Sequence, residues 1–208
     1  KNNFQGCEST RMLLQNSPCY GNNDAYADAI GKAMEKAALD YCEAHSPALE
    51  MPVDVRYVPV TAHVPFGRVV AASANGRLAW TPLSDGTSPS PGADHQGPTG
   101  VFLSNAASKN MGACRRAARM LNMKFTPKVV EGDAGTQRLV SLFRTFVDLK
   151  LWHVQFNVIN RETLLHAKAE PEKYKNLIVR VAGYSAYFVD LSSDMQDDII
   201  ARTEQESI

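Results

Sequence analysis

The sequence predicts an α/β fold built as a single domain. Segments with apolar residues at helical spacing alternate along the chain with short β-branched and aromatic runs, the order expected of strands joined through helices. A chain of 208 residues with 44% apolar residues is also long enough to enclose a sizeable core. No internal repeat or domain boundary interrupts it.

A short amphipathic segment, ESTRMLLQ (8–15), comes first. In GNNDAYADAIGKAMEKAALDYCEAH (21–45) the asparagines offer caps, and Tyr26, Ile30, Ala33, Met34, Ala37 and Tyr41 recur at helical spacing, the face of a packing helix. VDVRYVPVTAHVPFGRVVAAS (53–73) reads as extended chain broken by prolines, and NGRLAWTPLSDGTSPSPGADHQGP (75–98) as a long loop. A loop of that length in a compact domain is usually functional or disordered. Helix returns at TGVFLSNAAS and around Arg115, Arg116 and Arg119, followed by a short extended run, NMKFTP (122–127). A helix over 136–148 places Leu139, Leu142, Phe143 and Phe146 on one face. WHVQFNVIN (152–160) alternates strictly, with Trp152, Val154, Phe156 and Val158 on one side and His153, Gln155 and Asn157 on the other. Asn160 caps a helix through RETLLHAKAE, Pro171 stops it, and NLIVRVA (176–182) is the last strand. Ser193 and Gln196 fit a capping box for the final helix, DMQDDIIARTEQ.

Charge and hydropathy exclude whole classes of function. Twenty-two basic residues balance 22 acidic ones, so the field that draws proteins onto nucleic acid or anionic membranes is missing. No apolar run approaches the roughly 20 residues of a membrane helix, and the first residues lack a signal-peptide core. The simplest location is the cytoplasm. Cys7, Cys19, Cys42 and Cys114 lie far apart, without metal-ligand spacing, and read as reduced thiols. The first residue is Lys1, which fits a piece of a longer chain.

Several arrangements imitate chemistry and read more simply as structure. His166 and Glu170 lie four apart on a helix but lack the second histidine and adjacent glutamate of a zinc protease, so they read as a surface pair. Asp85 and Asp94 sit among glycines and prolines, where aspartate commonly bonds its own backbone. Ser84 has no strand-elbow-helix context. Arg115, Arg116 and Arg119 read as a solvated or partner-pairing face, and Cys7 as a structural thiol opening an amphipathic helix.

One residue asks for an explanation, and taken alone it reads as a glycine that permits a tight bend or a close approach to another backbone. Gly183 interrupts the apolar run NLIVRVAGYSAYFVDL (176–191), where a glycine packs nothing and loses backbone entropy on folding. Together with HVPFGR, the 75–100 loop, LNMKF, HVQFNVIN and PEKY, in that order, RVAGYSAYF resembles the glycyl radical motif of the pyruvate formate-lyase superfamily. The resemblance covers most of the chain. It gives Gly183 a chemical reason: a radical on its α-carbon is delocalised between the adjoining amide nitrogen and carbonyl, and needs a planar carbon that a side chain would crowd.

The resemblance implies that the chain is the carboxy-terminal part of a ten-stranded α/β barrel, with the glycine on a finger loop in its interior and the glycine radical domain over about 63–208. No cofactor is bound in such proteins. A partner activase using S-adenosylmethionine and an iron-sulfur cluster installs the radical, which passes to a cysteine and thence to a small organic substrate. That cysteine sits in a G-C-x-E setting far upstream of the glycine, and Cys7, followed directly by Glu8, does not match it. The thiyl cysteine is therefore expected in the remainder of a parent chain, and the enzyme is expected to be an oxygen-sensitive anaerobic homodimer, in the cytoplasm or inside a bacterial microcompartment. HVPFG, PLSDG and RVAGYSAYF resemble the dehydratase and lyase branch. Arg56 falls where that branch lines its pocket and would suit an anionic sulfonate, as in the carbon–sulfur lyases that split isethionate into sulfite and acetaldehyde. Pairing with Asp54 or a surface acid is the plain alternative for Arg56. A diol dehydratase, a choline trimethylamine-lyase and a non-catalytic radical-carrying accessory are the competing readings.

Overall fold

The structure, a computed structural model, describes residues 2–58, 60–109 and 119–208. Its elements run α1 (Glu8–Gln15), α2 (Ala25–His45), α3 (His63–Gly67), α4 (Gly97–Lys109), β1 (Asn122–Phe125), α5 (Pro127–Val130) and α6 (Gly132–Asp148). They continue as β2 (Gln155–Val158), α7 (Arg161–Ala169), β3 (Ile178–Arg180), β4 (Ser185–Tyr187), α8 (Ser193–Ala201) and β5 (Glu204–Gln205). The α/β prediction holds: β2, β1 and β5 form a parallel sheet in that order, with helices in the crossovers.

The long helix α2 forms as predicted but turns the other way. Asp24, rather than an asparagine, caps it by accepting from the backbone N–H groups of Tyr26 and Ala27. Tyr26, Ile30, Met34 and Tyr41 are exposed, whereas Asp28 and Glu35 are buried. The buried face packs on α4, and Gly31 lets the two helices come close, since an added Cβ would stand 3.2 Å from Ser108 Cβ. The apolar stripe thus lies on the surface that this chain leaves uncovered.

Between α2 and α4 the expected extended segment folds partly into α3, and Pro65 is accommodated because a first-turn residue has no intrahelical N–H bond to lose. The long loop after α3 is tied down by side chains. Arg77 donates to the carbonyls of Thr81 at 2.7 Å and Ala71 at 2.6 Å, and Asn22 accepts from the backbone of His95 and Gln96.

Among the described residues, two apolar clusters hold the elements together. One joins Val101 and Phe102 of α4 to Leu121, Met123, Phe125 and Leu142, with Phe146 edge-on to Phe102 at 5.7 Å. Helix α6 begins at Gly132, four residues before the sequence pattern marks it, because glycine, aspartate and threonine carry no apolar period. The other cluster gathers Val64, Leu164, Val179, Val181, Phe188, Met195, Ile199 and Ile200 around the β3–β4 hairpin. Asn160 caps α7 as predicted, accepting from the N–H of Thr163 at 2.8 Å.

The carboxy-terminal elements depart from expectation in two respects. NLIVRVA is not the last strand, because β4 pairs back on β3 and the chain beyond α8 adds β5 alongside β1. The capping box does not form: Ser192 precedes α8 without a side-chain cap, and Gln196 donates to the Phe188 carbonyl at 2.9 Å instead. Among the described residues no helix is long and apolar enough to cross a membrane.

Candidate functional site: the glycine hairpin

Strands β3 and β4 form an antiparallel hairpin in which Arg180 pairs with Ser185. The four residues between them are Val181, Ala182, Gly183 and Tyr184, closed by a bond from the Val181 N–H to the Tyr184 carbonyl at 2.9 Å. Val181 and Ala182 are buried, and the chain then emerges, so that Gly183 is exposed on the described surface. Gly183 adopts φ +90°, a backbone conformation that side chains disfavour. An added Cβ would also stand 2.8 Å from the terminal methyl of Met120. The sequence anomaly therefore has a conformational basis as well as the chemical one implied by the resemblance.

Polar side chains hold both faces of this loop. The Gly183 N–H donates to Gln155 Oε1 at 3.3 Å, and Arg180 Nη2 donates to the Gly183 carbonyl at 3.3 Å. Arg180 also donates through Nε to Gln155 Oε1 at 2.7 Å, while its backbone exchanges two 2.7 Å bonds with the Asn157 side chain. Arg202, at the end of α8, donates to the Val181 carbonyl at 2.8 Å. Behind Gln155, its amide nitrogen donates to Asn122 Oδ1, and Asn122 Nδ2 donates to Asp85. Asp85 and Asp198 both face Arg202, at 3.3 and 2.9 Å, and His63 stands 3.1 Å from Asp198.

This arrangement assigns the two sides of strand β2. The alternation of WHVQFNVIN is real, yet Gln155 and Asn157 are the buried side and Val158 is exposed. The polar side is inward because it serves the hairpin. Likewise Asp85 and Asp94 are more than turn formers: Asp85 takes the Asn122 and Arg202 bonds, and Asp94 accepts from Thr203 and from Gln205 at 2.7 Å. Sequence reasoning missed Gln155, Arg180, Asn122 and Arg202. The signal available for the first was its place on the polar side of a strand.

The remaining candidates divide clearly. Arg119 is not a solvated face residue: it is buried, 2.5 Å from Glu35, with its guanidinium 5.6 Å above the Tyr57 ring. Cys114, Arg115 and Arg116 lie outside the described residues. Cys7 is exposed at the start of α1, and Cys7, Cys19 and Cys42 are free thiols. Ser84 is exposed and bonds Ser90 at 3.1 Å. His166 and Glu170 are both exposed, and Glu170 pairs with Lys173. Arg56 is exposed and precedes Tyr57, whose carbonyl accepts from Met120 N–H at 3.0 Å. Since Met120 touches the Gly183 position, Arg56 rides on a segment anchored to the residue that covers the hairpin tip.

The fold and loop define an α/β protein that presents a glycine on a polar-anchored hairpin. A family model described as "Glycine radical" matches residues 83–189, half of the chain, and one described as "Pyruvate formate lyase-like" matches residues 1–67. The chain belongs to the glycyl radical family. It is 63% identical over 208 residues, all of its length and 25% of the relative's, to isethionate sulfite-lyase from Oleidesulfovibrio alaskensis. It is 64% identical to isethionate sulfite-lyase from Nitratidesulfovibrio vulgaris over 98% of this chain and 24% of that one. Among solved structures, the B12-independent glycerol dehydratase from Clostridium butyricum, glycerol bound, superposes with a TM-score of 0.87 at 39% identity, over 99% of this chain and 26% of the other. The chain spans about a quarter of the length of the relatives it matches.

Proposed function

We propose that this chain is the radical-bearing part of a longer glycyl radical enzyme, a carbon–sulfur lyase that splits isethionate into sulfite and acetaldehyde. The similarity to isethionate sulfite-lyases over the whole chain carries this reading. Gly183 is the radical site, and residues 63–208 are its glycine radical domain. An activase using S-adenosylmethionine and an iron-sulfur cluster removes a hydrogen atom from the Gly183 α-carbon. The radical then takes a hydrogen atom from a cysteine outside this sequence, which takes one from the hydroxyl-bearing carbon of isethionate. Loss of the hydroxyl proton and departure of sulfite with the C–S electron pair leave a carbon radical. Return of the hydrogen atom from the cysteine completes acetaldehyde.

Arg56 is the anion clamp in this scheme, because a guanidinium fork matches sulfonate oxygens and gains strength in a site shielded from water. The exposed stripe of Tyr26, Ile30, Met34 and Tyr41 supports a larger assembly, since an apolar surface of that kind is ordinarily covered by protein. A homodimer in the cytoplasm or in a microcompartment, handled anaerobically, is the corresponding quaternary state and setting. A glycyl radical diol dehydratase is the second reading, favoured by the superposition on glycerol dehydratase.

The test is sulfite release from isethionate by the full-length enzyme after anaerobic activation. Release that disappears in Gly183→Ala and falls by more than tenfold, about 1.4 kcal/mol, in Arg56→Gln is the expected result. A radical-bearing preparation that releases no sulfite returns the assignment to the dehydratases.

A further inference from the structure

The hydrogen bonds behind Gly183 have a direction, and a single carboxylate sets it. Asp85 is buried and acceptor-only when ionised, so Asn122 must turn its NH₂ toward it. That leaves the Asn122 carbonyl to accept from the Gln155 amide nitrogen. Gln155 in turn has only its carbonyl oxygen to offer the hairpin, where the Gly183 N–H meets it at 3.3 Å and Arg180 Nε at 2.7 Å. Arg180 is donor-only and places Nη2 on the Gly183 carbonyl at 3.3 Å. Gly183 thus carries an acceptor on its amide nitrogen and a cation on its carbonyl.

That polarity matches what a radical on the Gly183 α-carbon requires. The amide nitrogen donates its lone pair into the half-filled orbital while the carbonyl withdraws spin and charge from it. An acceptor on the N–H makes the nitrogen a better donor, and a guanidinium on the carbonyl makes that group a better acceptor. Both bonds strengthen as the radical forms and the backbone about Gly183 flattens from φ +90°, because dipoles aimed at developing charge stabilise it. Cooperative polarisation along the chain adds to the effect.

We propose that Asp85, Asn122 and Gln155 form a polarised relay which, with Arg180, stabilises the glycyl radical by this push and pull. The inference rests on the assignment of the radical to Gly183. Its members are positioning residues, since they act through the backbone groups of Gly183. Arg202 completes the support, because the same guanidinium that neutralises Asp85 holds the Val181 carbonyl at 2.8 Å.

The experiment uses the full-length enzyme, labelled with ¹⁵N-glycine and activated anaerobically, and reads the nitrogen hyperfine coupling and lifetime of the radical by electron spin resonance. Gln155→Leu removes the acceptor and is expected to lower the nitrogen coupling and to shorten the anaerobic lifetime at least threefold. Gln155→Glu retains an acceptor oxygen and is expected to restore both. Asp85→Asn never touches Gly183, yet it releases the polarity of the relay and is expected to shift the coupling in the same direction as Gln155→Leu. Arg180→Lys, which keeps the charge and loses the fork, serves where Gln155→Leu does not fold. Unchanged coupling and lifetime in the folded variants overturn the relay while leaving the radical assignment standing. An activated wild-type enzyme without a glycine-centred signal overturns the assignment itself, and the relay with it.

Discussion

Cutting the ion pair between Glu35 and Arg119 is expected to be the most destabilising polar change in the chain. Glu35 lies in the middle of α2 with its side chain 0% exposed, and Arg119 stands 2.5 Å away with its side chain 2% exposed. The Tyr57 hydroxyl donates to the same carboxylate. Glu35→Ala leaves a buried guanidinium without its carboxylate, and removing one partner of such a pair costs about 3–5 kcal/mol. For a chain of this size about 2–4 °C of Tm is lost per kcal/mol, so a fall of roughly 6–20 °C is expected. Replacing both partners together, Glu35→Leu with Arg119→Met, is expected to recover most of it, because a packed apolar pair is often at least as stable as a buried ionic one. Thermal unfolding of the two single variants and the double variant, followed by circular dichroism, supplies the cycle. A loss below about 1 kcal/mol in Glu35→Ala, the range of an exposed pair, would refute the reasoning by showing that water reaches the site. Arg119 immediately precedes Met120, so the same lesion is expected to loosen the cover over Gly183.

Three further outcomes follow from buried groups. Burial raises the pKa of Asp198, but the hydrogen bond from His63 and the charge of Arg202 outweigh it and hold the carboxyl below its ordinary 3.8. A depressed native value gives stability that is present above pH 3.8 and lost as pH falls through the native value, so Asp198→Asn should flatten the acid limb of a pH–stability curve. Burial pushes the Lys124 ammonium down to about 8, against the opposing charge of Glu204. The unfolded chain then binds the extra proton between pH 8 and 10.5, so stability rises across that window, and Lys124→Met should abolish the rise in urea titrations. In Gly67→Ala the new Cβ would stand 2.3 Å from the Thr81 carbonyl oxygen. Backbone must move to make room, and a loss of about 1–3 kcal/mol in the same titrations is expected.

What the sequence disclosed about the fold is what local rules determine. Asn160 caps α7 because its side chain reaches an N–H three residues on, and the apolar period of α6 is visible in Leu142 and Phe146. Period alone does not say which face is inward. In α2 the apolar stripe is outside and Glu35 inside, because the partner of Glu35 comes from Arg119, 84 residues away in sequence (119 − 35). Strand β2 repeats the lesson: its alternation was legible, but the burial of Gln155 and Asn157 depends on Arg180 and Gly183 arriving from another hairpin. Asp85 and Asp94 looked local for the same reason, and their partners Arg202, Asn122, Thr203 and Gln205 are all distant in sequence. The family motif around Gly183 was legible, and the side chains that hold the hairpin were not.

As the proposed radical site, Gly183 answers two separate demands, and they are separable by experiment. Conformation comes first: φ +90° strains any L side chain, by an amount of order 1–2 kcal/mol for the left-handed region. The contact with Met120 adds little, since the atom met is the end of a flexible side chain that can swing aside. An alanine at this position therefore costs the chain only a modest part of its stability, and Gly183→Ala should fold with its hairpin in place. Loss of the radical in a variant that retains its fold cannot then be ascribed to a collapsed loop. It follows from the second demand, that the α-carbon become planar between an amide nitrogen and a carbonyl, where the methyl group of an alanine meets the steric crowding that glycine avoids.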